Sequence, residues 1–546
     1  MGEEVVFVRR ASGLIREIGP FTVMVVGANF TIADGIYNLT QWQSYQTPGA
    51  NYPISLILGG ILLTFAAIVV MFLAAASPRA CSDYVAISRT VHPILGYIQA
   101  FMGIGIQTWI YGGLAYFMGW YFGSFFIQAG IATNNPSFVS LGTWMSADTT
   151  VGIVIGIVII LLVAVVNLLG IKTFKYTVNI LFGLALAAGI VTVGAALYGV
   201  MIGPQGVAAL WDKTYGSGAF QEIIDVAKQS GYVDYIVGKT GDPSAYGWPG
   251  NWTWQSTLGP ALIAASYAFW GMDTQNYIGG EVSRPKRSFL LGTAGAIAIC
   301  FIYYLAIALP TLQMYGQFTS YYNYVMFGGH GQELLKINTI QTPTIAVMLA
   351  SILGGIMPWA AIIVTLGVAL WVLNGLPVYA IIPTRILFAL SFDRFMPQKF
   401  AEVNQRFRTP HWSILVTTVL AIIFLFITVQ NPWFMTLSVV TGVFVRWLFS
   451  SWAAMLLPYQ RPDIFEQGYT WKIGKIPVIT IFGAIGTVLM TTLLAIGLGQ
   501  ISSDMNSLTW FVFWFSAGAL IFAYYLGKNA RRGVKIETLF KEIPPA

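Results

Sequence analysis

Asp34, Asp273 and Arg446 each fall inside a long apolar run. A charge placed there costs at least about 2.5 to 3.5 kcal/mol on insertion into hydrocarbon, so each is expected to face a partner or water inside a bundle. A carboxylate in that position can take up a proton or a cation, and a guanidinium can hold the carboxylate in place. Asp273 sits in SYAFWGMDTQNYIGGEVSRP, residues 266–285, which ends at Glu281 in front of Arg284, Lys286 and Arg287. The residue types for other chemistry are missing. Cys81 falls in a loop and Cys300 inside a run, while His92, His330 and His411 lie in loops or at run edges. Haem, zinc or redox chemistry would need ligands inside the bundle. The chain also lacks the G-x-x-x-x-G-K-[ST] loop of an ATP-driven protein. No enzyme activity, cofactor or metal is expected.

The elements that must position these residues are membrane spans. The chain has 546 residues, 56% hydrophobic and 9% charged, against about 25% charged for soluble domains. Apolar runs long enough to cross the bilayer as helices recur throughout. The pattern predicts an all-α polytopic membrane protein with twelve spans, near 18–42, 53–77, 94–128, 150–170, 175–202, 256–281, 289–312, 356–390, 411–430, 433–458, 475–499 and 507–527. The apolar stretch 343–355 is too short to cross and is expected to lie against the bundle. Most of the 28 Lys and Arg residues then gather on one side, leaving Lys213, Lys228, Lys239 and Lys336 on the other. The positive-inside rule puts both termini in the cytoplasm of a multi-pass cell-membrane protein. Topology alone explains the net charge of +7, with no nucleic-acid partner.

Two runs break their own rules at matching places. The first reads GPFTVMVVGANFTIADGIYNL, with Gly27, Asn29, Thr31, Asp34 and Gly35 at mid-depth; the sixth reads SYAFWGMDTQNYIGG, with Gly271 and Asp273. Glycine-interrupted spans in corresponding positions of two halves point to an inverted-repeat transporter, whose broken helices turn backbone groups toward a midplane ligand.

Here the chain resembles the amino acid-polyamine-organocation (APC) permeases. Arg16, Ile18 and Gly19 followed by GANFTIADGIY, residues 27–37, resemble the family's first-span pattern. YAFWGMD with Glu281, Pro285 and Arg287 resembles its sixth-span hallmark. PRACSDYVAISRTVHPILGY (78–97), NLLGIK (167–172) and TRILFALSFDRFMPQKFAEVNQRFRTP (384–410) are similar to further family segments in the same order. The resemblance implies a five-plus-five inverted repeat of the leucine-transporter type with helices 1 and 6 broken and two helices added. The chain would divide into residues 1–202 (helices 1–5), an outer loop 203–255, residues 256–458 (helices 6–10) and residues 459–546 (helices 11 and 12 with the tail).

The implied activity is secondary active transport of an amino acid or related amine by alternating access, coupled to H+ or Na+, as symporter or antiporter. A polyamine or organic-cation exchanger, or a non-transporting nutrient sensor on the same scaffold, is the alternative. Carried over by position, the resemblance assigns substrate binding to Gly27, Asn29, Ala33, Asp34 and Gly35 in the first span, and to Ala268, Phe269, Trp270 and Gly271 in the sixth. Phe269 or Trp270 would close over the ligand or stack on a cation.

The departures from the family pattern carry expectations of their own. Where relatives show Gly-Ser-Gly, this chain has Ala33, Asp34, Gly35, which sets a carboxyl beside the expected carboxylate site. Asp34 would then favour a cationic ligand or hold a coupling cation. A fifth-span lysine found in many relatives is replaced by Ala185, leaving Asp273 and Asp34 as the titratable coupling candidates. Asp273 is expected to be neutral when closed from water and to release its proton when the inner path opens. Glu281 is expected to form a cytoplasmic ion-pair gate in the outward-open state with Arg284, Lys286 and Arg287, joined by Arg16, Glu17, Asp393 and Arg394. Arg446 is expected to pair with Asp34 or Asp273 or to reach water.

Overall fold

The computed structural model describes residues 11–33, 35–37, 45, 47–245, 260–337, 339–340, 344–431, 436–502 and 504–545. Asp34 lies outside them. In chain order the helices are α1 Pro20–Ile32, α2 Tyr52–Ala76, α3 Ser82–Thr90, α4 Pro93–Thr133, α5 Pro136–Ala147, α6 Thr149–Leu168, α7 Ile171–Tyr215, α8 Ala219–Gln229, α9 Tyr232–Thr240 and α10 Pro260–Ala268. They continue with α11 Pro285–Tyr315, α12 Phe318–Met326, α13 Ile345–Gly354, α14 Pro358–Phe392, α15 His411–Gln430, α16 Thr436–Gln460, α17 Pro462–Phe465, α18 Val478–Ile501, α19 Met505–Arg531 and α20 Ile536–Lys541. A two-residue hairpin, β1 Lys472–Ile473 with β2 Ile476–Pro477, joins α17 to α18.

Local chemistry starts and stops these helices where the apolar runs alone would not. The Asn51 side chain accepts from the Ile54 N–H and Asp148 from Thr150 and Val151, satisfying donors that a helix start leaves open. Proline opens α1, α2, α4, α11 and α14, where its missing N–H is no loss.

Among the described residues, nine helical segments are long and apolar enough to cross a membrane: α2, α6, α7, α11, α14, α15, Val439–Gln460 of α16, α18 and α19. The chain is thus an all-α polytopic membrane protein. The 41 residues of α4 include no charged side chain. The fifth run continues as helix beyond its expected end at 202, through a kink where Gly203 takes φ 70° ahead of Pro204, and reaches Tyr215. Part of the expected outer loop is therefore helical, in α7, α8 and α9. α13, the short apolar stretch, packs on α7 and α14.

The buried centre is built from α14 and α16. In the spanning windows 72% of α14 and 83% of the α16 segment is buried, against 28% for α18 and 17% for α19. α14 packs on α4, α7 and α1, and α16 on α2, α3 and α18. The last two long helices therefore form a flank whose apolar faces look outward.

Candidate functional site

The sixth run loses its helix in mid-course, and the end of α1 lies beside that break. α1 stops at Ile32 and helical backbone resumes at residues 35–37. α10 stops at Ala268; a turn follows, with Gly271 at φ 125°, then 3-10 turns at Thr274–Tyr277 and Gly279–Glu281. Only glycine adopts that backbone without strain. A Cβ at Gly271 would also meet the Phe30 ring and, at 2.7 Å, Thr31 Oγ1. Tyrosines of neighbouring helices tie the end of α1 to this break. The Tyr304 hydroxyl of α11 donates within reach of both Thr31 O and Ala268 O, the latter at 2.8 Å. The Tyr379 hydroxyl of α14 donates to Phe30 O at 2.8 Å.

The described residues assigned to substrate binding differ in what they touch. Asn29 is fully buried against the Asn374 amide of α14, which in its satisfied orientation donates to Val178 O and accepts from the Phe182 N–H of α7. Ala33 packs against Gly375, and a Cβ on Gly35 would strike the Tyr304 hydroxyl. Gly27 lies apart from the opening, closely packed on Gln275 and Ala296. Phe269 points at α11, with its ring 4.9 Å from Phe301 and 4.8 Å from Tyr304. Trp270 instead meets Phe30 edge-on at 5.1 Å, and Phe30 lies 4.3 Å from Tyr379. Of the two aromatics, Trp270 is the one beside the first-span break. Its Nε1 and Ser266 Oγ, one turn apart, are buried without a hydrogen-bond partner among the described residues, and such orphaned polar atoms are costly unless something else completes them.

One turn further on stands a buried cluster of charge. The Arg446 Nη2 lies 2.7 Å from Asp273 Oδ2, and its Nε donates to Asp83 Oδ2 at 2.5 Å. The guanidinium sits 4.8 Å over the Tyr277 ring. Trp447 Nε1 donates to the same Asp273 oxygen at 3.0 Å. Asp83 is fully engaged, its Oδ1 accepting from the Tyr84 N–H at 2.8 Å and from the Cys81 thiol at 3.4 Å. Asp273 Oδ1 has no partner among the described residues. Two carboxylates thus share one guanidinium.

The segment carrying Asp273 is sutured to the face of the bundle that bears most of the basic residues. Ile18 pairs with Val282 and Ala80 with Ile278 as isolated bridges, and Ser82 Oγ donates to Asn276 O at 3.1 Å. Two buried ion pairs close the same face. Glu281 receives Arg385 Nη2 at 2.6 Å and Nε at 3.0 Å. Asp393 receives both Arg89 Nη groups, at 2.6 and 2.8 Å, and the Tyr84 hydroxyl at 2.7 Å.

This corrects the expected partners of Glu281. Arg284, Lys286 and Arg287 are exposed, because Pro285 starts α11 and turns their side chains toward water. Arg16 is exposed as well, near Pro78 O, and Asp393 takes Arg89. Arg385 was legible in principle, since it lies inside the apolar run 356–390. Asp83 and Arg89 gave no such signal, because a charge near a span end reads as topology.

A protein-family model described as amino acid permease matches residues 18–524. The chain is 22% identical over 536 residues to the methylthioribose transporter of Bacillus subtilis (strain 168), covering 95% of each chain. It is 22% identical over 526 residues to that organism's branched-chain amino acid permease BcaP, covering 95% of this chain and 94% of the relative. It is 24% identical over 421 residues to a vacuolar cationic amino acid transporter of Arabidopsis thaliana, covering 75% and 58%.

Proposed function

Because the chain belongs to the amino acid permease family, we propose that it is a secondary active transporter that carries an amino acid or related amine by alternating access, coupled to protons. That it is a transport protein and not an enzyme follows from the family and its relatives. The remainder of the reading rests on the site. It takes the chain as twelve spans in two inverted halves, 1–202 and 256–458, separated by the 203–255 segment and followed by 459–546, with both termini in the cytoplasm of a cell-membrane protein.

The observation that carries the reading is the juxtaposition of the end of α1 with the break that follows α10. Unwound backbone is tolerated in a membrane where it lines a site, and here the carbonyls of Phe30, Thr31 and Ala268 already accept hydroxyls from Tyr379 and Tyr304. A substrate amine would take up carbonyls of this kind at the Ala268–Gly271 break, and its carboxylate the amides of Asp34 and Gly35, since the Ala33 N–H is already given to Asn29 O at 3.1 Å. Trp270, with its orphaned Nε1, closes over the ligand.

Charge balance supplies the coupling. The buried Asp83, Asp273 and Arg446 sum to one negative charge, which is expensive in a low-dielectric interior. One proton neutralises the cluster, and Asp273 Oδ1 is the oxygen without a partner. Protonation there weakens the bond to Arg446, leaves the Asp83 pair intact and loosens the sixth-span segment from α16. Glu281 with Arg385 and Asp393 with Arg89 then act as the inner gate.

A cation exchanger is the second reading, favoured by Asp34 beside the substrate carboxylate position. Uptake of radiolabelled amino acids, polyamines and nucleobases into proteoliposomes separates the two. Transport of a neutral amino acid supports the first reading; transport confined to polyamines or other cations replaces it with the second. Binding without any uptake leaves only a sensor.

A further inference from the structure

The flank of the bundle holds a polar cavity that transport does not use. About 330 Å³ in volume, it lies where the last turns of α19 meet the turn after α14, and is lined by Arg394, Met396, Pro397, Gln398, Tyr525, Lys528, Asn529, Arg532 and Val534. Three of these carry positive charge and none is a carboxylate. Asn529 Nδ2 donates to Arg394 O at 3.1 Å, fixing the wall between the two elements. Arg394 takes φ 64°, an uncommon backbone for a side-chain-bearing residue. We infer that this cavity binds the phosphate of an anionic phospholipid headgroup.

Position argues for lipid over a soluble anion. α19 is the least buried of the spanning helices, and Phe513, Leu520 and Tyr524, at 53%, 71% and 62% exposure, recur at helical spacing along its outer side. That apolar stripe runs to the cavity, so acyl chains can lie along the helix while the headgroup turns inward. Tyr524 and Tyr525 mark the interfacial level, where tyrosine is enriched, and Lys528 sits 5.7 and 5.2 Å from their ring centroids. Basic pockets at this level of a membrane protein recognise anionic headgroups, each cation adding to the preference.

Native mass spectrometry of the full-length protein, released from bilayers of equal phosphatidylglycerol and phosphatidylcholine, tests the inference. Retained phosphatidylglycerol should exceed phosphatidylcholine by about tenfold in the wild type, and K528Q/R532Q should abolish that excess. K472Q/K475Q, which removes two exposed lysines from the β1–β2 turn, should keep it. If the double variant does not fold, R532Q alone, at an exposed position, should still reduce the excess several-fold. Unchanged preference in a folded K528Q/R532Q or R532Q, or equal loss in K472Q/K475Q, overturns the site. Displacement of the retained lipid by millimolar inorganic phosphate overturns the lipid assignment, because the cavity would then be a soluble-phosphate site.

Discussion

Arg446 and Asp273 face each other at 2.7 Å in the interior of the bundle, and the same guanidinium holds Asp83 on its other edge. Removing the cation would leave two carboxylates buried together. R446Q is therefore expected to lower stability by about 3 to 5 kcal/mol, the usual cost of breaking a buried pair. R446Q/D273N, with one carboxylate gone, should recover part of it. Thermal unfolding in detergent measures both; equal melting of R446Q and wild type would mean that the cluster does not depend on its cation.

The gate reading makes a separate prediction at Glu281. E281Q leaves Arg385 buried without its counter-charge and should favour opening of the basic face. Cys81, buried at the start of α3 beside Asp83, is a built-in reporter once Cys300 is replaced by Ala. Its labelling by a membrane-impermeant maleimide should rise several-fold in E281Q, whereas R284Q and R287Q, whose parent side chains are exposed, should leave it near the wild-type rate. The same rate in all variants would remove Glu281 from the gate.

Much of this architecture was legible in the sequence because a membrane span must be long and apolar, and the nine spanning segments among the described residues overlie nine of the twelve expected runs. The break after α10 falls where the sequence sets glycine beside polar residues, and Gly271 there takes a positive φ. Charge pairing was not legible. Arg446 and Asp83 are 363 positions apart, and nothing in the local pattern of either names the other. Glu281 misled for the opposite reason, since its sequence neighbours Arg284 and Arg287 are basic while its partner comes from α14. The turn at Pro285 decides the matter, and only the folded chain displays it.

Tyr304 joins the end of α1 to the break after α10 with a single hydroxyl. Y304F strands buried carbonyls at Thr31 and Ala268, at a cost of about 1 to 3 kcal/mol. Its transport should fall more steeply than its stability, because the missing hydroxyl aligns both halves of the substrate site. Uptake and melting measured on the same preparation check this; full uptake by a normally stable Y304F would detach the tyrosine from the site.

Residues 540–544 pack against the Arg89 and Arg79 side chains. The Phe540 ring lies 4.9 Å from the Arg89 guanidinium, and the carbonyls of Glu542 and Pro544 accept from Arg89 Nε and Arg79 Nε. F540A removes a buried aromatic and should cost about 3 kcal/mol, with faster Cys81 labelling than wild type. Unaltered labelling would mean that the Arg89 and Asp393 pair holds without this support.

Proton-driven uptake through Asp273 is the central claim. The measurement is substrate uptake into proteoliposomes with the outside made acidic, against symmetric pH and against an imposed sodium gradient. Wild type should concentrate substrate under the inward proton gradient and ignore sodium, while D273N should exchange substrate across the membrane yet fail to accumulate it. Accumulation by wild type that follows sodium alone, or by D273N that still follows the proton gradient in full, would contradict the account.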